Sequence, residues 1–227
     1  MKKLIFLSFF VVVATGFTFA QEARFGFKGG LNLASVSYNK AGEVKENSMT
    51  PSFNVGVFAD LPMIGEMLSF QPGFFYTGKG TQATVKNDAI LLPTDMTLKS
   101  NVYYLEGQAN ILFKIPLESF KVFVGAGPYI AYGVNGKYSI DGKILGLAVD
   151  EKKDIIFTTE KGNIIDYTKI KPWDVGATIT AGIEFGNIQV SANYGLGFIK
   201  IHPTNTDNNT DNAGKNRVLS ASVGILF

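Results

Sequence analysis

The chain has 227 residues, 46% hydrophobic and 18% charged, with 19 Phe, 9 Tyr, 25 Gly and no Cys. Its formal net charge of +2 is carried by Lys2 and Lys3, so the rest of the chain is neutral in its acidic and basic side chains. This balance excludes a basic nucleic-acid footprint, the missing cysteines exclude disulfide frameworks and thiolate metal sites, and the charged share falls below the roughly 25% of ordinary soluble domains.

Residues 1–20 read as a secretory signal peptide. Lys2 and Lys3 form a positive start, Leu4 to Val13 an apolar run, and Thr18-Phe19-Ala20 a small-residue cleavage site before Gln21. The apolar run is short and broken by Thr15 and Gly16, which argues against a membrane anchor. Residues 21–227 are then expected to form a single domain.

From there on, apolar side chains recur every second residue. Phe25, Phe27, Leu31 and Leu33 oppose Arg24, Lys28 and Asn32; Phe53, Val55, Val57, Ala59 and Leu61 oppose Ser52, Asn54 and Asp60. Leu68, Phe70, Phe74 and Tyr76 oppose Ser69, Gln71 and Thr77, and Tyr103, Leu105, Ala109, Ile111 and Phe113 oppose Glu106, Gln108, Asn110 and Lys114. Val122, Val124, Ala126, Ile130 and Tyr132 alternate with Lys121 and glycines. The clearest alternation runs over 175–185 and 188–199, where Val175 to Phe185 and Ile188 to Phe198 are apolar at every second position, with Glu184, Gln189 and Asn193 between them. Leu219 to Phe227 closes the chain in the same manner. This predicts an all-β fold, an up-and-down antiparallel β-barrel of about eight strands, each long enough to cross a bilayer at a tilt.

The alternation alone is compatible with a soluble barrel, apolar side inward, or a transmembrane barrel, apolar side outward. Three features favour the second. The apolar faces carry essentially no charge, and a Lys or Arg near the midplane of a lipid face would cost about 2–4 kcal/mol. Connections alternate between short joins, near 62–66, 116–119 and 186–187, and long polar ones, at 38–50, 86–99, 137–170 and 202–215. The aromatics also sort by end, with Phe25, Phe113, Phe120, Phe185 and Phe227 toward the periplasmic rim and Tyr38, Tyr76, Tyr103, Tyr132 and Trp173 toward the outer rim, as interfacial girdles do. The inner polar network expected from this orientation consists of Arg24, Lys28, Asn32, Asp60, Glu106, Gln108, Asn110, Lys114, Asp174, Glu184, Gln189 and Asn193. Eight strands leave an interior that side chains can fill, so the network reads as a plug rather than a pore.

Several of these segments resemble a known family. Phe25-Gly26-Phe27-Lys28-Gly29-Gly30-Leu31-Asn32-Leu33 looks like the opening strand of PorT-like outer-membrane β-barrels. Gly56-Val57-Phe58-Ala59 with Leu68-Ser69-Phe70-Gln71-Pro72-Gly73 is similar to their next hairpin, and Tyr103-Tyr104-Leu105-Glu106, Gly125-Ala126-Gly127-Pro128-Tyr129, Asn193-Tyr194-Gly195-Leu196 and the terminal strand are similar to later blocks. The resemblance implies a single outer-membrane barrel without an assigned substrate, and a link to protein secretion for a founding member. An aromatic last residue, Phe227, looks like the signal read by the barrel-assembly machinery.

No cofactor or metal is expected. Asp207 to Asp211 lacks the glycine and the distal acid of a calcium loop. His202, the single histidine, has no serine or acid tied to it by a motif, so it reads as a solvated loop residue rather than part of an enzyme. Within 137–170, residues 155–159 and 164–168 flank Glu160-Lys161-Gly162-Asn163 and predict a hairpin beyond the membrane, where a protein or surface ligand would bind. The expected role is a non-catalytic outer-membrane barrel acting through its outer loops. A narrow channel, an accessory of protein secretion and, more remotely, a lipid-modifying enzyme or a soluble lipocalin-like binder stand as alternatives.

Overall fold

A computed structural model describes residues 23–40, 43–46, 48–87, 94–144, 147–160, 168–203 and 211–227. The expected signal peptide, 1–20, lies outside the described residues. In chain order the strands are β1 (Arg24–Lys40), β2 (Glu43–Glu46), β3 (Thr50–Ile64), β4 (Leu68–Asn87), β5 (Thr94–Pro116), β6 (Lys121–Ile144), β7 (Leu147–Asp154), β8 (Ile156–Phe157), β9 (Lys169–Ile170), β10 (Trp173–Phe185), β11 (Ile188–Gly197) and β12 (Asp211–Leu226).

Strands β1, β3, β4, β5, β6, β10, β11 and β12 pair antiparallel in that order, and β12 pairs back onto β1. Closure leaves no edge along the barrel wall, so the backbone groups of each strand are paired on both sides, the condition for crossing lipid with strands. The joins at one end are tight. Phe185 pairs with Ile188 around Gly186-Asn187, and Gly186 has φ +53°, a conformation that favours glycine as the first residue of a two-residue turn.

Side-chain burial settles which face is which. Phe27, Leu31, Phe74, Val124, Ile179 and Val223 point outward and are exposed, while Asn32, Asp60, Glu106, Lys114, Asp174, Glu184 and Gln189 on the alternate positions are buried inside. A continuous apolar belt of this kind marks a lipid-facing surface. The barrel is inside out relative to a soluble protein, which excludes the lipocalin-like alternative.

Large inward rings are accommodated by glycines on the same face. Phe75 lies against Gly73, where a Cβ would come within 2.5 Å of the ring, and Phe123 lies against Gly182 in the same way. Phe58, Phe75 and Leu226 form a small buried cluster in the lower half of the barrel.

At the opposite end the strands run on past the belt. β5 and β6 are 23 and 24 residues long, about twice the 9–11 that a tilted crossing needs. The connection expected over 86–99 is largely strand, since β4 and β5 stay paired out to Asn87↔Thr94. β6 likewise continues to Ile144 and turns back into β7. Most of the hairpin expected around 160–163 falls on residues 161–167, which lie outside the described residues. Ile156-Phe157 pairs in parallel with Lys169-Ile170, and β6 and β7 form a hairpin raised beyond the belt. Ile155 and Ile170 fold in over the barrel mouth with Ile201, against Val36, Val102, Tyr104, Tyr129 and Ala131. Backbone bonds tie this cap down, from Ile155 N to Gly136 O at 2.9 Å and from Lys171 N to Ile201 O at 2.8 Å.

Candidate functional site

The barrel interior is layered. Nearest the tight turns, Lys114 Nζ lies 2.6 Å from Asp60 Oδ2 and 3.0 Å from Glu184 Oε2, and Arg24 Nη2 lies 2.6 Å from both Asp60 Oδ2 and Glu184 Oε1. Lys114, Asp60 and Glu184 are almost fully buried. Gln189 Nε2 donates to Glu184 at 2.9 Å, Gln71 Nε2 donates to Gln189 at 3.3 Å, and Lys28 Nζ donates to Gln71 at 3.1 Å. Lys28 also stands 4.4 Å from the centre of the Phe58 ring, a cation–π contact inside the wall.

The middle layer is uncharged. Thr180 donates to Asn193 at 2.7 Å, Asn193 donates to Ser222 at 3.5 Å, Ser222 donates to Asn54 at 3.4 Å, and Asn54 donates to Asn32. Asn32 in turn donates to Gly78 O at 2.9 Å and Thr77 Oγ1 at 3.0 Å. A cavity of about 50 Å³ lies alongside this layer. That is space for a few waters, at roughly 10–15 Å³ of this measure each.

The upper layer is charged again. Lys79 Nζ sits 2.6 Å from Glu106 Oε2 and 2.9 Å from Asp174 Oδ2. Asp174 also accepts from Asn216 Nδ2 at 2.9 Å and from the Tyr129 hydroxyl at 3.2 Å. Gln108 donates to Glu106 at 2.7 Å and Asn110 donates to Gln108 at 3.3 Å. Above this layer comes the apolar cap. Among the described inward groups, half-buried Arg24 and buried Lys28, Lys79 and Lys114 balance buried Asp60, Glu106, Asp174 and Glu184, so formal charge cancels inside the barrel. Buried ions are tolerable when paired or hydrogen-bonded: Lys79 and Lys114 each face two carboxylates, and Lys28 is held by the Gln71 amide and the Phe58 ring.

All twelve polar side chains assigned to the interior on parity are thus in this network. Lys79, Tyr104, Tyr129 and Asn216 also belong to it and are missed by a reading that stops each strand at the apolar belt. The signal was present. Lys79 continues the odd-numbered inward series Ser69, Gln71, Phe75 and Thr77 on β4, and Tyr104 continues the even series of β5.

The aromatics occupy both rims. Phe120 and Phe185 pack with ring centres 5.2 Å apart, and Phe27 meets Phe227 edge-on at 6.2 Å. Phe25 and Phe113 are exposed on the same end. Toward the other end Tyr76 and Tyr103 stack at 5.2 Å, and Tyr132 meets Trp173 at 4.9 Å. The Tyr38 side chain lies outside the described residues.

His202 corrects the expectation of a solvated histidine. It is buried, and its Nδ1 lies 3.1 Å from Lys169 O, tying the segment after β11 to β9. Packing of Ile201 into the cap draws its neighbour inward. Residues 204–210, with most of the segment weighed as a calcium loop, lie outside the described residues.

Among known proteins, the family model described as "Outer membrane protein beta-barrel domain" matches residues 19–202. The solved structures similar to the chain include Ail, the attachment invasion locus protein of Yersinia pestis, at 14% identity and TM-score 0.41, with 91% of this chain and 100% of that chain covered. Neisserial surface protein A is similar at 17% identity and TM-score 0.40, with the same coverage. The N-terminal β-barrel domain of Pseudomonas aeruginosa OprF is similar at 8% identity and TM-score 0.31, again covering 91% and 100%. No curated protein sequence matches.

Proposed function

Because the chain belongs to the outer membrane protein β-barrel domain family and is an outer-membrane protein, we propose that it is a non-catalytic surface protein whose barrel is a sealed anchor and whose outer strands make the contacts. The observation that carries this reading is the filled interior. Two ion-pair layers, an uncharged hydrogen-bonded layer and an apolar cap occupy the bore in succession. Meanwhile the β6–β7 hairpin presents Asp150, Glu151, Lys152, Lys153 and Asp154 to the outside, all exposed. Among the described residues, β7 pairs on one side only, with β6. Its charges discourage indiscriminate strand addition, so side-chain recognition by a protein or surface ligand is the mode we favour for the 137–170 segment.

Further assignments belong to the same reading. Residues 1–20 act as a cleaved signal peptide. The rim aromatics Phe25, Phe113, Phe120, Phe185 and Phe227 on one side, and Tyr38, Tyr76, Tyr103, Tyr132 and Trp173 on the other, act as girdles. Phe227 serves as the assembly signal. The strand motifs from Phe25-Gly26-Phe27 onward support a place among PorT-like barrels, which makes an accessory role in protein secretion the second reading.

Two measurements on one preparation test the proposal. In planar bilayers the purified barrel is expected to give no discrete conductance steps. On cells, replacing 138–153 by a two-residue turn is expected to abolish adhesion to a panel of immobilised matrix proteins and glycans while leaving the barrel folded. Steady conductance with unchanged adhesion would establish the channel instead.

A further inference from the structure

We propose that Lys79 and Asp174 become joined by an isopeptide bond, formed inside the upper charged layer with Glu106 as the proton carrier. The bond ties β4 to β10 across the bore, between side chains 95 residues apart in the chain.

The three groups are already in contact. Lys79 Nζ lies 2.9 Å from Asp174 Oδ2 and 2.6 Å from Glu106 Oε2. Lys79, Asp174 and Glu106 are only 4%, 1% and 5% exposed. The Nζ also stands 4.1 Å from the centre of the Tyr129 ring and 5.3 Å from that of Tyr104, and both rings belong to the apolar cap that closes the mouth. Away from bulk water both ions lose hydration, so the neutral amine and acid lie closer in energy to the ion pair than they do in solution. An enclosed lysine that passes on its proton is a nucleophile, and here its carboxyl partner is held beside it.

The surroundings of Asp174 set its two oxygens apart. Oδ2 accepts from Asn216 Nδ2 at 2.9 Å and from the Tyr129 hydroxyl at 3.2 Å, in addition to Lys79. These two neutral donors are placed for the negative charge that develops on Oδ2 when the nitrogen attacks Cγ. Oδ1 is buried without a hydrogen-bond partner among the described residues, which leaves it to take up protons and depart.

The step balances without a co-reactant. The Nζ–Cγ bond forms and the Cγ–Oδ1 bond breaks. Of the three ammonium protons, one stays on the amide nitrogen and two leave with Oδ1 as water. Glu106 takes protons from Nζ and hands them to Oδ1, and it ends as the carboxylate it was at the start. The cavity of about 50 Å³ is lined by Lys79, Glu106 and Tyr129 and has room for the released water. One cation and one anion vanish together, so formal charge inside the barrel still cancels.

Lys114 supplies the contrast. It too faces two carboxylates, but Arg24 lies 2.6 Å from both Asp60 and Glu184. A guanidinium does not give up its proton, so it holds both partners as carboxylates, which are poor electrophiles. One bond is expected in the barrel, not two.

The test weighs the protein, extracted from outer membranes and denatured, against the mass of its own sequence. Wild type is expected to be lighter by one water, and its tryptic digest to hold one branched peptide linking Lys79 to Asp174. K79R, E106Q and D174A are expected at full sequence mass, D174N lighter by one ammonia, and K114R lighter by one water like wild type. Heat-dependent gel mobility checks that each variant has folded. Protein taken unfolded from inclusion bodies is expected at full mass, with the water lost on refolding in detergent micelles. Folded wild type at full mass overturns the bond. A missing water retained by K79R, or a branch mapped to Glu106, overturns the residues assigned. Loss of water before refolding overturns the role of the folded site.

Discussion

Lys114 Nζ lies 2.6 Å from Asp60 Oδ2 at the base of the barrel, with both side chains cut off from solvent. Removing Lys114 leaves the Asp60 and Glu184 carboxylates facing Arg24 alone, in a medium that solvates the excess negative charge poorly. Lys114→Met is therefore expected to destabilise the barrel by about 3–5 kcal/mol. Urea unfolding in lipid vesicles measures it. The loss should shrink when Asp60→Asn is added, because Arg24 then faces the single carboxylate of Glu184, and a purely additive double variant would refute the pairing energetics.

Gly73 and Phe75 share the inner face of β4, two residues apart, and the ring fills the place where a Cβ would stand. Gly73→Ala is expected to cost about 1–3 kcal/mol through overpacking. Gly73→Ala with Phe75→Leu should recover part of it. Unfolding midpoints of the single and double variants check this.

Parity along each strand was enough to read the number of strands, their order, and the inward placement of residues such as Glu184 and Asp60, because a period of two repeats without regard to distant partners. It could not show where strands stop. Beyond the belt there is no lipid to impose alternation, so β5 and β6 ran on through residues that looked like polar loop. Nor could parity show that Ile155, Ile170 and Ile201, far apart in sequence, meet over the mouth. That contact is tertiary, and it brings His202 into a buried position and β8 alongside β9. The pairing of Lys79 with Glu106 and Asp174 likewise needed the closed ring to bring β4, β5 and β10 face to face.

The cap is predicted to be a separate unit of stability. Ile170 is buried within it, and Ile170→Ala is expected to cost about 2–5 kcal/mol there. Barrel unfolding should hardly change, because the wall does not depend on the cap for its hydrogen bonds, and local opening draws on local contacts. The expected result is faster proteolysis of the outer segments on intact cells with an unchanged urea midpoint. A lowered midpoint would mean that cap and barrel unfold together.

Ile179 sits midway along β10 on the outward face and is 53% exposed. In water such a residue tolerates charge, since Arg at an exposed strand position perturbs little. In a bilayer the same position lies near the midplane, where Arg costs about 2–4 kcal/mol. Its neighbour Phe185 is six residues further along, at the rim, where the cost falls to about 0–1 kcal/mol. Ile179→Arg is therefore expected to lower stability in vesicles far more than Phe185→Arg. The depth dependence is the diagnostic, because a loss from side-chain packing alone would follow the size of the ring or branch removed and would penalise Phe185 more.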